Sequence, residues 1–341
     1  MAPLTLNMSA KCGLFKGFRL EWRGGRRLSV VTEVAMSLRS LLFVPCANAR
    51  AMAKARDIAC DALIFDLEDA VGDAEREGAL VALAEALQGD FAAPVRLVRI
   101  HPQYLNAIHR ALKDLRIDGV VVPKTGTPEE LRGVAVLWPG VPLWAMIETA
   151  AGVVNLGEIC GMPGLRGLIA GPNDLRKSLR TRPIVERRDI AVALSQVVLQ
   201  ARAHGLAAID GVYNAFRDEA GFAAECRQGR NLGFDGKTLI HPGQVAEANR
   251  AFSPSDEEVD WAKAVVAAFE GSAAGVVSVN GEMVERLHLD MAMDILRRPA
   301  CNEARVNSYA DASLRSCRLP HNGSRRKRGR KAVDRAVNSG G

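Results

Sequence analysis

With 341 residues, 48% of them apolar and 25% charged, the chain has the composition of a globular enzyme and the length for a large core, as one big domain or two ordinary ones. No apolar run approaches the ~18 residues a membrane helix needs, and seven scattered cysteines without a CxxC pair argue against structural zinc or a disulfide framework and fit a reducing, cytoplasmic setting. The net charge of +6 sits at the ends: residues 1–36 carry six Lys/Arg against two Glu, residues 301–341 carry ten against three acids, and the body between is net −5, which is no platform for nucleic acid.

The basic head lacks the apolar core of a secretory signal. Its arginines and low acidity leave organellar import open, while an upstream extension before a start at Met36 is the plainer reading. Residues 1–36 and 301–341, the latter containing the basic run Arg325–Lys331, both read as disordered.

From 37 to 252 short apolar runs alternate with helical patterns. Leu41–Pro45 precedes a helix near 49–59, Ala62–Glu68 one at 73–88, and Val95–Ile100 one at 104–115. Gly119–Lys124 comes next, then a helix from Thr127 to Leu137 whose start puts proline early and acids in the first turn. The fifth run, Leu143–Ile147, stops at Glu148. The sixth ends near Gly171 and leads through Pro172 and Asn173 to Asp174. A helix at 186–204 leads to the seventh, Ala207–Val212, and one near 217–232 to the eighth, Lys237–His241.

Eight such units, joined by connections too long for hairpins, predict a (β/α)8 TIM barrel. A doubly wound open sheet is the alternative, but no Gly-rich phosphate fingerprint follows the first run. After 253 the pattern changes to a helix Asp256–Glu270, an Asn280-Gly281 turn between apolar runs, and an amphipathic helix over 288–298. Residues 253–300 therefore read as a C-terminal helical and hairpin arm.

A barrel carries its site at the C-terminal ends of its strands. Asp66, Glu68, Asp69, Arg99, His101, Lys124, Glu148, Asp174, Asp210 and His241 stand there. A carboxylate at the end of a buried strand is costly unless something pairs with it. Glu148 and Asp174, closing successive strands, suggest a site for a hard divalent cation. Each residue also has a plainer reading: Glu148 as a strand-end charge facing a helix N-terminus, His241 as a structural hydrogen-bonder, Arg50 and Lys54 as a solvated basic face. Lys124 also invites a Schiff-base reading, which the metal pair disfavours.

The segments Arg39–Pro45, Phe65–Val71, Val98–Ile100, Pro123–Lys124, Ile147–Thr149, Gly171–Leu175, Asp210–Tyr213 and Gly233–Gln244, with Asn280–Val284 in the arm, resemble in order the citrate lyase beta-subunit-like family of the HpcH/HpaI aldolase superfamily. The resemblance covers roughly 37–298. It implies a Mg2+-dependent carbon–carbon lyase that cleaves a CoA thioester of a hydroxy-dicarboxylic acid, of citryl-CoA or malyl-CoA type, to a 2-oxo acid and an acyl-CoA. It implies Glu148 and Asp174 as Mg2+ ligands, Arg99 as the grip on the oxo acid's carboxylate, and Arg50 and Lys54 near the CoA phosphates. It also implies a homotrimer or hexamer, and leaves open an acyl-carrier partner subunit.

The chemistry suits these groups. Cleavage turns an alcohol into a carbonyl while an acyl fragment leaves as an enolate, and a chelated cation polarises the oxygen as a Lewis acid. Two carboxylates plus waters suit Mg2+, an arginine takes a carboxylate bidentately, and Asp66, Glu68 and Asp69 would hold metal-bound waters.

The chain departs from the family pattern at three points. Its first loop, Pro45-Cys-Ala-Asn-Ala49, lacks the usual glycine, which restricts the backbone beside the CoA site. His101 stands where Asn is usual. Glu285 stands where malyl-CoA thioesterase-like members carry an aspartate that works as acid/base in a neighbouring subunit's site. Glu285 is thus the candidate proton-transfer group in trans, with its carboxyl displaced by about an ångström. Two rivals follow: a CoA-independent, metal-dependent aldolase acting on 4-hydroxy-2-oxo acids, and a non-catalytic family member.

Overall fold

The computed structural model describes residues 38–272 and 274–298; the basic head, the expected start at Met36 and the basic tail lie outside them. Strands β1 (Ser40–Pro45), β2 (Ala62–Asp66), β3 (Val95–Arg99), β4 (Gly119–Val122), β5 (Leu143–Ile147), β6 (Leu165–Ala170), β7 (Ala207–Asp210) and β8 (Gly236–Leu239) pair in sequence order, all parallel. β8 returns to β1, with Ser40 opposite Lys237, and the barrel closes. This is the (β/α)8 barrel expected from the alternation of runs and helices.

Alternate residues of each strand face opposite ways, and here both faces are buried. One face fills the barrel with Leu41, Ile64, Leu97, Val121, Trp144, Met146, Ile169 and Ile209. The other, with Leu42, Leu63, Val98, Val122, Ile147, Leu168 and Leu239, packs beneath the helices against Leu83, Leu131, Leu194 and Phe222. The Trp144 indole is accommodated because its neighbour is glycine: a Cβ on Gly167 would lie 2.3 Å from the ring. A register shift between Leu143 and Trp144 sets Gly167 opposite the indole and leaves Arg166 exposed. That bulge also fixes the phase of β6, so Ile169 and then Gly171 turn inward.

Several boundaries differ from the sequence reading. The helix expected at 186–204 begins at Ala191. The preceding residues form a turn in which Glu186 and Arg187 both take positive φ (58° and 51°), and this turn drives Arg187 inward. The first helix stops at Ala55, β7 at Asp210 and β8 at Leu239. The helix expected from Thr127 runs Pro128–Leu137, with Thr127 and Glu130 forming a capping box.

Beyond Phe252 the chain builds a small unit of its own. Helices Asp256–Phe269 and Arg286–Arg297 pack against each other and against the hairpin β9 (Val276–Val279) and β10 (Glu282–Glu285). Ala262, Val265, Phe269, Val279, Val284 and Ala292 form an apolar cluster separate from that of the barrel. Asn280 and Gly281 both have positive φ (52° and 85°), as the tight hairpin turn demands.

Candidate active site

The period-two alternation decides which polar residues reach the barrel mouth. Inward parity continues from Ile64 to Asp66, from Leu97 to Arg99 and from Met146 to Glu148. These three side chains, with Asp69 and Asp174, line a cavity of about 410 Å3 whose apolar wall includes Phe43, Met146, Val212 and Ile240. The size suits a small organic acid.

Arg99 lies at the centre of the charge network. Its Nε and Nη2 donate to the two oxygens of Asp66 at 2.7 and 2.6 Å, a buried bidentate pair. Nη1 lies 3.0 Å from Glu68 Oε2, outside hydrogen-bonding geometry, so that oxygen is buried without a hydrogen-bond partner. Burial works against the guanidinium's charge, but Asp66 and Glu68 outweigh it and raise its pKa. The expected bidentate grip on substrate therefore cannot use the Nε–Nη2 edge. Nη1 in turn donates to Met146 Sδ at 3.9 Å, so any grip on a carboxylate falls to the N–H groups left on Nη1 and Nη2.

Glu148 is 3% exposed, and its Oε1 accepts the backbone N–H of Lys124 at 2.7 Å. Its Oε2 takes no hydrogen bond among the described residues. Burial is the main cause that pushes its pKa up to about 7, against the pull of the Lys124 amide and Arg99. The fit is tight: a Cβ on Gly171 would lie 2.3 Å from Glu148 Oε2. Asp174, in the first turn of the helix Pro172–Leu179, has no partner among the described residues closer than the Lys124 ammonium at 3.9 Å.

Lys124 adopts φ 49° immediately past β4. Its Nζ donates to Glu68 Oε1 and, at 3.1 Å, to Asp69 Oδ1. Burial opposes its charge, but these carboxylates raise its pKa. An ammonium held by two carboxylates is a poor nucleophile, which, like the metal pair, disfavours the Schiff-base reading. Glu68 is pushed up by burial; Asp69, where the Lys124 hydrogen bond and the Arg99 charge outweigh burial, is held low.

Three residues expected at this rim lie elsewhere. Asp210 follows the inward Ile209 and so turns outward, fully buried beneath the helices. There it accepts from Arg187 Nη1 at 2.7 Å and from Lys237 Nζ at 2.8 Å. Lys237 also donates to Glu225 at 2.8 Å. Burial would raise the Asp210 pKa, yet Lys237 and Arg187 hold it low. Asp210 belongs to a structural ion network, not to the cavity. His241 caps the turn after β8 through Gly243 N–H and stacks on Phe216, as its plainer reading had it. His101 packs edge-on against Tyr104 outside the cavity lining, and burial lowers its pKa.

The sequence reading missed the Asn173–Asn214 pair, whose amides exchange hydrogen bonds of 3.3 and 2.8 Å across the mouth. Asn173 stands beside Asp174, but nothing local links it to Asn214. Arg50 and Lys54 are exposed on the helix Ala49–Ala55, at the mouth end of β1, without ion-pair partners among the described residues. Glu285 is not in the cavity: it begins the last helix in a reciprocal capping box with His288, whose Nδ1 accepts the Glu285 N–H at 2.9 Å.

The HpcH/HpaI aldolase/citrate lyase family matches residues 39–242. The chain belongs to this family. A (3S)-malyl-CoA thioesterase of Cereibacter sphaeroides is 44% identical over 271 residues, covering 77% of this chain and 95% of the relative. The citrate lyase subunit beta of Escherichia coli K12 is 35% identical over 283 residues, 76% of this chain and 92% of the relative. The CitE protein of Mycobacterium tuberculosis, crystallised with magnesium, acetoacetate and coenzyme A, superposes with a TM-score of 0.65 at 30% identity, covering 76% of this chain and 97% of that one.

No cluster of three or more His, Cys, Asp or Glu able to hold a metal occurs among the described residues. Two carboxylates line the cavity with free donor oxygens, Glu148 Oε2 and Asp174. That donor set fits a hard cation which keeps several waters, and does not fit zinc or a caged calcium.

Proposed function

We propose that the protein is a Mg2+-dependent lyase that cleaves a CoA thioester of a hydroxy-dicarboxylic acid to a 2-oxo acid and an acyl-CoA. The observation that carries the reading is the convergence of Glu148, Asp174 and Arg99 on one cavity at the C-terminal mouth of the barrel. Relatives named for citrate lyase and the CitE complex with magnesium and coenzyme A support it.

Mg2+ held by Glu148 and Asp174 would supply Lewis acidity toward the oxygen of the oxo-acid half. Glu148 is oriented for this by the Lys124 amide, which leaves Oε2 toward the cavity. Arg99, fixed by Asp66, would offer its remaining N–H groups to the substrate carboxylate and so orient the substrate in the cavity. The cavity takes the acid head but not the nucleotide, which runs out over the mouth toward the exposed Arg50 and Lys54. Glu285 caps a helix in its own arm, so proton transfer by it requires the arm of a second subunit in a homo-oligomer.

The 44% identity to malyl-CoA thioesterases favours a second reading, in which the same site hydrolyses the thioester. The two readings differ in products. Full-length protein, Mg2+ and citryl-CoA, malyl-CoA or methylmalyl-CoA should release a 2-oxo acid without free thiol if the lyase reading holds, and Glu148→Ala should abolish the release. Free CoA thiol with an intact hydroxy acid would establish the hydrolase instead. Inert thioesters combined with cleavage of a 4-hydroxy-2-oxo acid would establish the CoA-independent aldolase.

A further inference from the structure

The mouth of the barrel holds more carboxylates than a two-ligand magnesium site needs. Among the described residues, Asp66, Glu68, Asp69, Glu148 and Asp174 face two cations, Arg99 and Lys124, which leaves the cluster formally at −3. Hard cations gather carboxylate oxygens, and Ca2+ accepts six to eight oxygen ligands where Mg2+ holds to about six and keeps waters among them. Something must therefore hold the surplus carboxylates off the cation.

Lys124 is placed to do so. Its backbone N–H holds Glu148 Oε1, while its ammonium reaches Glu68 and Asp69 and comes within 3.9 Å of Asp174. This double engagement uses a left-handed backbone conformation, φ 49°, which an unbranched L-residue adopts at some cost. Asp66 is already committed to Arg99 through both oxygens. Arg99 Nη1 also lies 3.0 Å from Glu68 Oε2 and 3.6 Å from Asp69 Oδ2, but among the described residues the hydrogen bonds to Glu68 Oε1 and to both oxygens of Asp69 come from the Lys124 ammonium.

We infer that Lys124 is a positioning residue that limits the protein's contribution to two carboxylates. By engaging Glu68 and Asp69 it keeps positions on the cation open for water and a chelating oxo acid. The inference rests on Glu148 and Asp174 being the ligands. Without the ammonium, Glu68 and Asp69 turn toward the cation, and the site becomes carboxylate-rich, tighter for metal and closed to substrate.

Mn2+ binding to the full-length protein tests this without any turnover assay. Free Mn2+ counted by electron paramagnetic resonance gives the dissociation constant, and water-proton relaxation reports the exchangeable waters on the bound ion. Lys124→Met should tighten Mn2+ at least tenfold and lower the relaxation enhancement per bound ion. Lys124→Arg should stay near wild type in both. Adding Glu68→Gln and Asp69→Asn to Lys124→Met should restore the relaxation enhancement.

Tighter binding with unchanged relaxation would show that only a repelling charge had been removed, and would overturn the inference. So would unchanged or weaker binding by Lys124→Met, or a change in Lys124→Arg as large as in the methionine variant. Wild-type protein that binds no Mn2+, or binds it equally after Glu148→Gln, would instead remove the ligand assignment beneath the inference.

Discussion

Replacing Glu148 by glutamine should stabilise the metal-free protein while abolishing the Mg2+ binding proposed for Glu148 and Asp174. Burial raises this carboxyl from the ordinary 4.5 to about 7. Between those values the folded protein keeps a proton that the unfolded chain has released, so stability falls as pH rises through the window. A shift of about 2.5 units corresponds to ~3 kcal/mol, fully present below pH 4.5 and lost above pH 7. Glutamine has the same shape, accepts the same Lys124 N–H and does not titrate. Urea unfolding of both proteins in EDTA should give similar midpoints near pH 4.5 and an advantage for Glu148→Gln that grows to ~3 kcal/mol by pH 8. Saturating Mg2+ should recover the wild type alone, by mass action on the folded state. Parallel pH profiles for the two proteins would refute the claim that Glu148 is held in the cavity at the expense of stability.

Gly171→Ala should disable the proposed cation site with the barrel intact, because the new Cβ would overlap Glu148 Oε2 at 2.3 Å. Isothermal titration with Mg2+ would show the loss, and wild-type affinity would contradict it. Asp210→Asn leaves Arg187 and Lys237 with Glu225 as their one remaining counter-ion among the described residues and should cost about 3 kcal/mol by urea unfolding; a loss below ~1 kcal/mol would mean that Glu225 or water compensates both cations. Glu285→Gln should lower turnover and leave Mg2+ affinity unchanged, since its carboxylate is absent from the cavity of its own chain. A parallel fall in metal affinity would refute a role confined to proton transfer.

Much of the site was legible because its residues sit on short motifs with a positional meaning. Glu148 and Asp174 close successive apolar runs, and a carboxylate there needs a partner. Arg99 was legible as a mouth residue, but not as one whose Nε–Nη2 edge already grips Asp66, since that pairing joins adjacent strands through register. The Asn173–Asn214 pair was hidden because its members follow different strands, one in the helix after β6 and one in the segment after β7. Lys124 stood at the mouth with a Schiff-base reading already disfavoured but with no other task, because sequence gives a lysine no neighbours. In the fold, two carboxylates fix its charge and its task.

The sequence by itself determined the alternation of buried strands and amphipathic helices, and with it the barrel, the separate arm with its Asn280-Gly281 turn, and the carboxylate at the end of β5. It did not determine the phase of any strand. In a parallel barrel covered by helices both faces of a strand are apolar, so a run such as Leu143–Ile147 carries no period-two signal to show which way its last residue points. Only the packed structure, with Trp144 seated against Gly167 and the bulge in β6, decided that Glu148 turns into the mouth. The same logic sent Asp210, one residue past the inward Ile209, out beneath the helices to Arg187 and Lys237.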